Sequence, residues 1–225
     1  MEILKILLVL LMLVLAGVSP ILREVFINYA YASGAVVMLG AFFISLRNGR
    51  IYEKVWGFGF LSLAIHHSLN LIENLSILPF VGDVFYMLFY LLMFAGNLIH
   101  LWESRSTWFL SLVMVLSIAS LFGALTAAVS LPAFRDTQVA SFFNVFYLLF
   151  SAVITFSTLR SALFDRAWIL RTLAFGIFTL SEVWFMEWLY LGVNPPDPSV
   201  MWLGVVMLAV LSQKPVDRRM RVVRF

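Results

Sequence analysis

The sequence predicts an all-α fold, a polytopic integral membrane helical bundle, and two observations carry that prediction. Of 225 residues, 63% are hydrophobic and only 12% are charged. The charges fall in short clusters between long apolar runs. Lipid cannot hydrogen-bond a bare peptide group, so such runs must be helices that close their own backbone bonds. A bilayer core about 30 Å thick asks for roughly 20 apolar residues per span. Eight segments are candidates: 3–19, 24–46, 56–78, 83–101, 108–130, 138–159, 168–193 and 199–213. Residues 1–213 thus read as a single transmembrane bundle, followed by a short basic tail over 214–225. The last span is short and follows Asn194-Pro195-Pro196-Asp197-Pro198, so it requires some local thinning of the bilayer.

Charge placement orients the bundle. Arg47, Arg50 and Lys54 follow the second span, Arg105 the fourth, and Arg160 and Arg166 the sixth. Lys214, Arg218, Arg219, Arg221 and Arg224 follow the eighth. The turns between these are poor in base: Arg23 with Glu24, Asp83, Arg135 with Asp136, and Asp197. The positive-inside rule puts every base-rich turn, and both termini, in the cytoplasm. The expected location is the cell membrane, multi-pass, with the lipid bilayer as the first partner and no nucleic-acid partner. Trp56, Trp102, Trp108 and Trp168 fall at expected cytoplasmic ends, with Trp188 and Trp202 near the outer face, as in an interfacial aromatic belt. The basic tail is a topology signal that can also contact anionic headgroups.

The first segment has two readings. Lys5 ahead of a Leu/Val/Ile run resembles a secretory signal peptide, which would leave seven spans. Pro20 beside the cut, and the absence of a clean small-x-small site in Ala16-Gly17-Val18-Ser19, favour a retained helix. The chain has no cysteine, which excludes disulfides, CxxC redox motifs and thiolate metal sites.

A weak parallel repeat runs over 24–101 and 138–213. Glu53-Lys54-Val55-Trp56 opens the third span and Asp165-Arg166-Ala167-Trp168 the seventh. Each follows a helix ending in arginine, and each helix carries a glutamate near its outer end, Glu73 or Glu187, aligned after a two-residue slip. Such units would be related by an axis along the membrane normal. In the fifth span Ser120, Ala124 and Ala128 recur every fourth residue, beside Gly123 and Ala127, so helix backbones can approach closely there. Packing within the bundle is the reading adopted for that face, with a homo-oligomer contact as the alternative.

Polar groups inside spans need a partner or a task. His66, His67, Asn70, Glu73 and Asn74 occupy an arc of about 120° at 100° per residue, a polar stripe on one helix face. Glu182 and Glu187 lie on the seventh span, and Asn144 and Asn97 on the sixth and fourth. These residues are candidates to line a ligand-binding cavity open to the outside, with His66, Asn70, Glu73 and Glu182 at its core. His66 and Glu73, seven residues apart, suit Zn, Fe or Mn by donor type, yet no His-x-x-x-His or His-x-x-x-Glu pair supports a metal, and no cofactor is assigned. An ion or proton path is a further reading, since imidazole and carboxyl groups both titrate. The alternative to all of these is that the side chains bond between helices and fix the packing. Enzymatic activity is not expected: the heptahelical hydrolases of the adiponectin-receptor and alkaline-ceramidase kind use a histidine-rich zinc set, and the late spans here lack paired histidines.

The stretch from about Trp56 to Arg105 resembles part of the microbial multi-helix membrane sensor modules. The resemblance lies in Leu71-Ile72-Glu73-Asn74-Leu75, a short turn, then Gly82-Asp83-Val84-Phe85-Tyr86 opening a helix that reaches Gly96 and a charged end. It implies a membrane-embedded sensory or ligand-binding module. Those modules feed a cytoplasmic output domain, whereas only the short tail follows the last span here, so the expected output is a separate protein partner. A small transporter for an ion or polar solute, with His66, Glu73 and Glu182 as coupling groups, is the alternative function. A non-catalytic scaffold subunit of a membrane complex is the third.

Overall fold

In the computed structural model the described residues are 31–32, 34–36, 38–47, 50–72, 81–131, 138–164 and 166–191. The expected spans 3–19 and 199–213, the basic tail, Glu73 and Asn74 lie outside them. Among the described residues the fold is all-α with no strand. The helices are α1 (Gly34–Arg47), α2 (Ile51–Leu71), α3 (Val81–Glu103), α4 (Thr107–Ser130), α5 (Gln138–Phe164) and α6 (Arg166–Leu191). Three of them, α3, α4 and α5, are long and apolar enough to cross a membrane. At 1.5 Å per residue α2 and α6 are also about 30 Å or longer, but each carries more polar groups.

α2 packs most closely on α3, and α5 on α6; α4 lies on α5, and α3 also meets α5. α1 lies against α2, where a Cβ on Gly57 would sit 3.0 Å from the Ser45 side chain. α4 contributes a narrow strip to the interior: Phe109, Val113, Ser117, Ala124 and Ala128 are buried. Ala124 and Ala128 therefore do serve packing within the bundle. The opposite side of α4 is apolar and open, with Val115 61%, Phe122 65% and Val129 67% exposed. A face of this kind is stable only when lipid or another protein covers it.

The turn from α3 to α4 is set by Arg105, at φ 55°. Its N–H donates to the Trp102 carbonyl and that of Ser106 to Leu101, so the carbonyls left over at the end of α3 are satisfied as the chain reverses. Trp102 and Trp108, on either side of this turn, are 71% and 67% exposed, as interfacial residues would be. Trp56 and Trp168 depart from the expected belt, because both are buried in the core. The reason is local. Gly96 on α3 has no side chain, so the Trp56 indole lies against the α3 backbone and donates from Nε1 to the Met93 carbonyl at 3.1 Å.

A Cβ at Gly96 would overlap the indole of Trp56 and come within 3.0 Å of the Tyr52 carbonyl oxygen. Gly96→Ala is expected to destabilise the bundle by roughly 1–3 kcal/mol through overpacking, read as a lowered thermal midpoint in detergent. Gly40→Ala, where a Cβ meets nothing within 4 Å, is the matched control and should not lower the midpoint, since alanine is the better helix former.

Candidate functional site

The polar residues near one end of the bundle converge on a single carboxyl group. Glu182, on α6, is 2% exposed. Its Oε1 accepts from the Tyr86 hydroxyl at 2.5 Å and from the Tyr90 hydroxyl at 2.7 Å. Tyr86 and Tyr90 are four residues apart on α3, so both rings leave the same face of that helix. Burying an acidic group is costly unless it is hydrogen-bonded, and two phenol donors meet that demand here. Phe178, one turn before Glu182 on α6, packs against Tyr86, Phe89 and Tyr90 and closes the apolar side of the site.

His66 joins the same cluster from α2. Its ring stacks on Tyr86 at a centroid distance of 4.6 Å and an interplanar angle of 16°. Nδ1 lies 2.9 Å from the Gly82 carbonyl oxygen. A carbonyl only accepts, so Nδ1 carries the hydrogen, and Nε2 is left to accept from the Asn70 amide at 3.1 Å. Gly82 allows this approach, since a Cβ there would already touch His66 and Asn70. α5 completes the site: the Tyr147 hydroxyl donates to the Asp83 carbonyl at 2.9 Å, and its ring stacks on Tyr90.

The structure thus brings His66, Asn70 and Glu182 into one cluster and puts Tyr86 between the histidine and the carboxyl group. His67 turns the other way. It is buried against α1, where the Gly34 backbone and the Tyr31 ring face it. The single polar stripe expected on this helix is therefore divided between two neighbours. Asn144 donates to the Tyr190 hydroxyl at 3.3 Å, tying α5 to α6 away from Glu182. Glu187 is half-buried and stands about 140° around α6 from Glu182, which separates it from the cluster. Glu73 lies outside the described residues. Among the described residues no three His, Asp or Glu side chains are grouped to hold a metal ion.

Two sets of residues were not legible as site residues in the sequence. The first is Tyr86, Tyr90 and Tyr147, which composition counts among the hydrophobic residues. The available signal was a heptad-like seam on α3: Asp83, Tyr86, Tyr90, Asn97 and His100 share one face. Asn97 donates to Ser157 at 2.8 Å and His100 pairs with Ser161 at 2.9 Å, both on α5. The second set surrounds Arg171 at the other end of α6. Arg171 is 5% exposed, with its guanidinium 5.0 Å from the Trp56 ring and 4.8 Å from the Trp168 ring. Glu53 lies 3.6 Å from it, and His100 stacks on Trp168 at 4.1 Å. The signal there was an arginine only five residues into α6.

No family model, no curated protein and no solved structure matches this chain.

Removing either hydroxyl leaves the buried Glu182 carboxyl with one of these two phenol donors. Tyr86→Phe and Tyr90→Phe are each expected to cost about 1–2 kcal/mol in unfolding free energy. Ser111→Ala, whose hydroxyl bonds only within an exposed stretch of α4, should cost less than about 0.5 kcal/mol in the same assay.

Proposed function

We propose that this chain is a multi-pass protein of the cell membrane with eight spans and both termini in the cytoplasm, or, if the first is cleaved, seven spans with the new amino terminus outside. It serves as a membrane-embedded sensory or ligand-binding module that acts through a separate partner protein. The observation that carries the reading is the Glu182 carboxyl group held by two phenols from another helix, with the stacked His66 alongside. A buried acidic group in a membrane bundle marks a functional site by default, because an apolar contact would hold the helices at lower cost. The ligand chemistry that fits is a small solute with hydrogen-bond donors or a positive charge, which can take the place of the Tyr86 and Tyr90 hydroxyls on Glu182.

A second reading, a small transporter for an ion or polar solute, draws on a different observation. The polar seam of α3 extends from Asp83 to His100, about 26 Å along the helix, nearly the thickness of a hydrocarbon core. Its members bond to α5 and α6 at the Asp83 end and to α5 at the His100 end. In this reading Glu182 and His66 are coupling groups on a path along α3.

Thermal unfolding of the purified protein, wild type beside Glu182→Gln and His66→Ala, with a panel of divalent metals, amines and polyols, tests the binding site. A compound that raises the wild-type midpoint, but not that of the variants, identifies the ligand class. If nothing raises it, and both variants only lower it, the cluster is packing and the proposal fails. Flux of the stabilising compound into proteoliposomes would favour the transporter; stable co-purification with a soluble kinase-like protein would favour the sensor. The native chain has no cysteine, so single cysteines at Arg50 and Ser104 also test topology directly. Both are expected to react from the cytoplasmic side only.

A further inference from the structure

The bundle handles charge differently at its two ends. Near the start of α6 the Arg171 guanidinium lies 5.0 Å from the Trp56 ring and 4.8 Å from the Trp168 ring, with the Glu53 carboxylate 3.6 Å away. Two ring faces and one acid thus hold a buried cation, and desolvation strengthens that attraction. Here the protein supplies both the cage and its occupant.

The Glu182 end gathers the same two components, rings and acid. Phe178, one turn before Glu182, is 5.6 Å from the Phe89 and Tyr90 rings and 6.1 Å from that of Tyr86. The Tyr147 ring is 4.6 Å from Tyr86 and 5.4 Å from Tyr90. Asp83, half-buried in the first turn of α3, adds a second acid, its Oδ1 3.4 Å from the Tyr147 hydroxyl. Among the described residues this end contains no base. Arg47, Arg50, Lys54, Arg105, Arg160 and Arg166 fall in or beside the opposite ends of their helices. Arg171 stands eleven residues before Glu182, about 16 Å along α6. The groups nearest the carboxyl group are neutral: Tyr86 and Tyr90 are phenols, and the His66 ring carries one hydrogen, on Nδ1.

That composition restricts what can bind. Two acids without a base repel an anion. A resident metal ion asks for several His or carboxylate donors at one point, and among the described residues no three are grouped. A polyol could bond to the carboxyl group but would leave the ring faces unused. An organic ammonium uses every part of the site: its charge meets Glu182, and its alkyl groups lie on rings whose faces attract cations.

We propose that the ligand of the Glu182 site is a small organic ammonium compound, held by a carboxylate and ring faces as Arg171 is held beside Glu53. The proposal rests on the reading of Glu182 as a ligand-binding site and narrows that site to one chemical class. The ammonium compound displaces the Tyr86 and Tyr90 hydroxyls from Oε1, and the Tyr86, Tyr90 and Phe178 rings remain around it. Asp83, nearer the end of the bundle, attracts a cation approaching from that side.

Thermal unfolding of the purified full chain with choline and with propylammonium tests this, each beside an uncharged counterpart of the same shape. A carbon replaces the choline nitrogen in one, and propanol replaces the amine in the other. At least one ammonium probe is expected to raise the wild-type midpoint while its counterpart does not. Glu182→Gln, which keeps the shape and removes the charge, should raise the half-saturating concentration about thirtyfold or more. Phe178→Leu, which removes a ring and no charge, should raise it about threefold. An uncharged counterpart that stabilises the wild type as well as its ammonium probe overturns the proposal, and needs no variant to do so. So does an ammonium effect that persists in full in Glu182→Gln. A polyol or divalent metal that stabilises through Glu182, while neither ammonium probe does, overturns the ammonium class and leaves the binding site standing. No stabilisation by any compound removes both.

Discussion

The arrangement of this bundle depends on one buried carboxyl group. Glu182 cannot face lipid, and it cannot sit in an apolar interior without donors. Two phenols on α3 supply them at 2.5 and 2.7 Å. That requirement fixes how α3 and α6 face each other, because Tyr86 and Tyr90 must both reach one oxygen. The rest of the cluster follows from it. With Tyr86 committed to Glu182, its ring is oriented for His66 to stack on one side and for Tyr147 to meet it edge-on at 4.6 Å. Four helices, α2, α3, α5 and α6, are thereby brought to one point.

α3 is the helix on which both ends of the bundle are built. Its seam of Asp83, Tyr86, Tyr90, Asn97 and His100 meets α5 and α6 through hydrogen bonds, with Met93 and Gly96 accommodating Trp56 between them. At the far end, α6 contributes Arg171, and its charge is accommodated by two indole faces and the Glu53 carboxylate. The two ends differ in kind: one is a set of neutral donors around an acid, the other a set of ring faces around a base. Each joins α2 and α3 to α5 and α6.

Helix placement was largely legible in the sequence because it rests on apolar runs, and the runs at 83–101, 108–130 and 138–159 correspond to α3, α4 and α5. α2 begins earlier than the apolar run does. Tyr52 is buried there while Ile51 is exposed, an amphipathic turn that hydropathy alone does not extend. His66, Asn70 and Glu182 stood out because charged and amide groups are rare within spans. Their partners did not, since a tyrosine hydroxyl leaves little trace in composition and the pairing of α3 with α6 is a tertiary fact. The histidine stripe misled in one respect: an arc about 120° wide exceeds what one neighbouring helix can cover, so His67 serves α1 while His66 serves α3. Trp56 and Trp168 resembled belt residues because their position along the helix says nothing about the glycine, Gly96, that admits an indole to the interior.

The claim on which the account turns is that the Tyr90 and Glu182 side chains interact with each other rather than merely lying side by side. A double-mutant cycle on unfolding free energy, with Tyr90→Phe, Glu182→Met and the pair, measures that interaction directly. The expected coupling is about 1 kcal/mol, in the range found for contacting polar pairs. Strict additivity of the two substitutions would mean that the bond between α3 and α6 contributes nothing, and that another contact sets how these two helices meet.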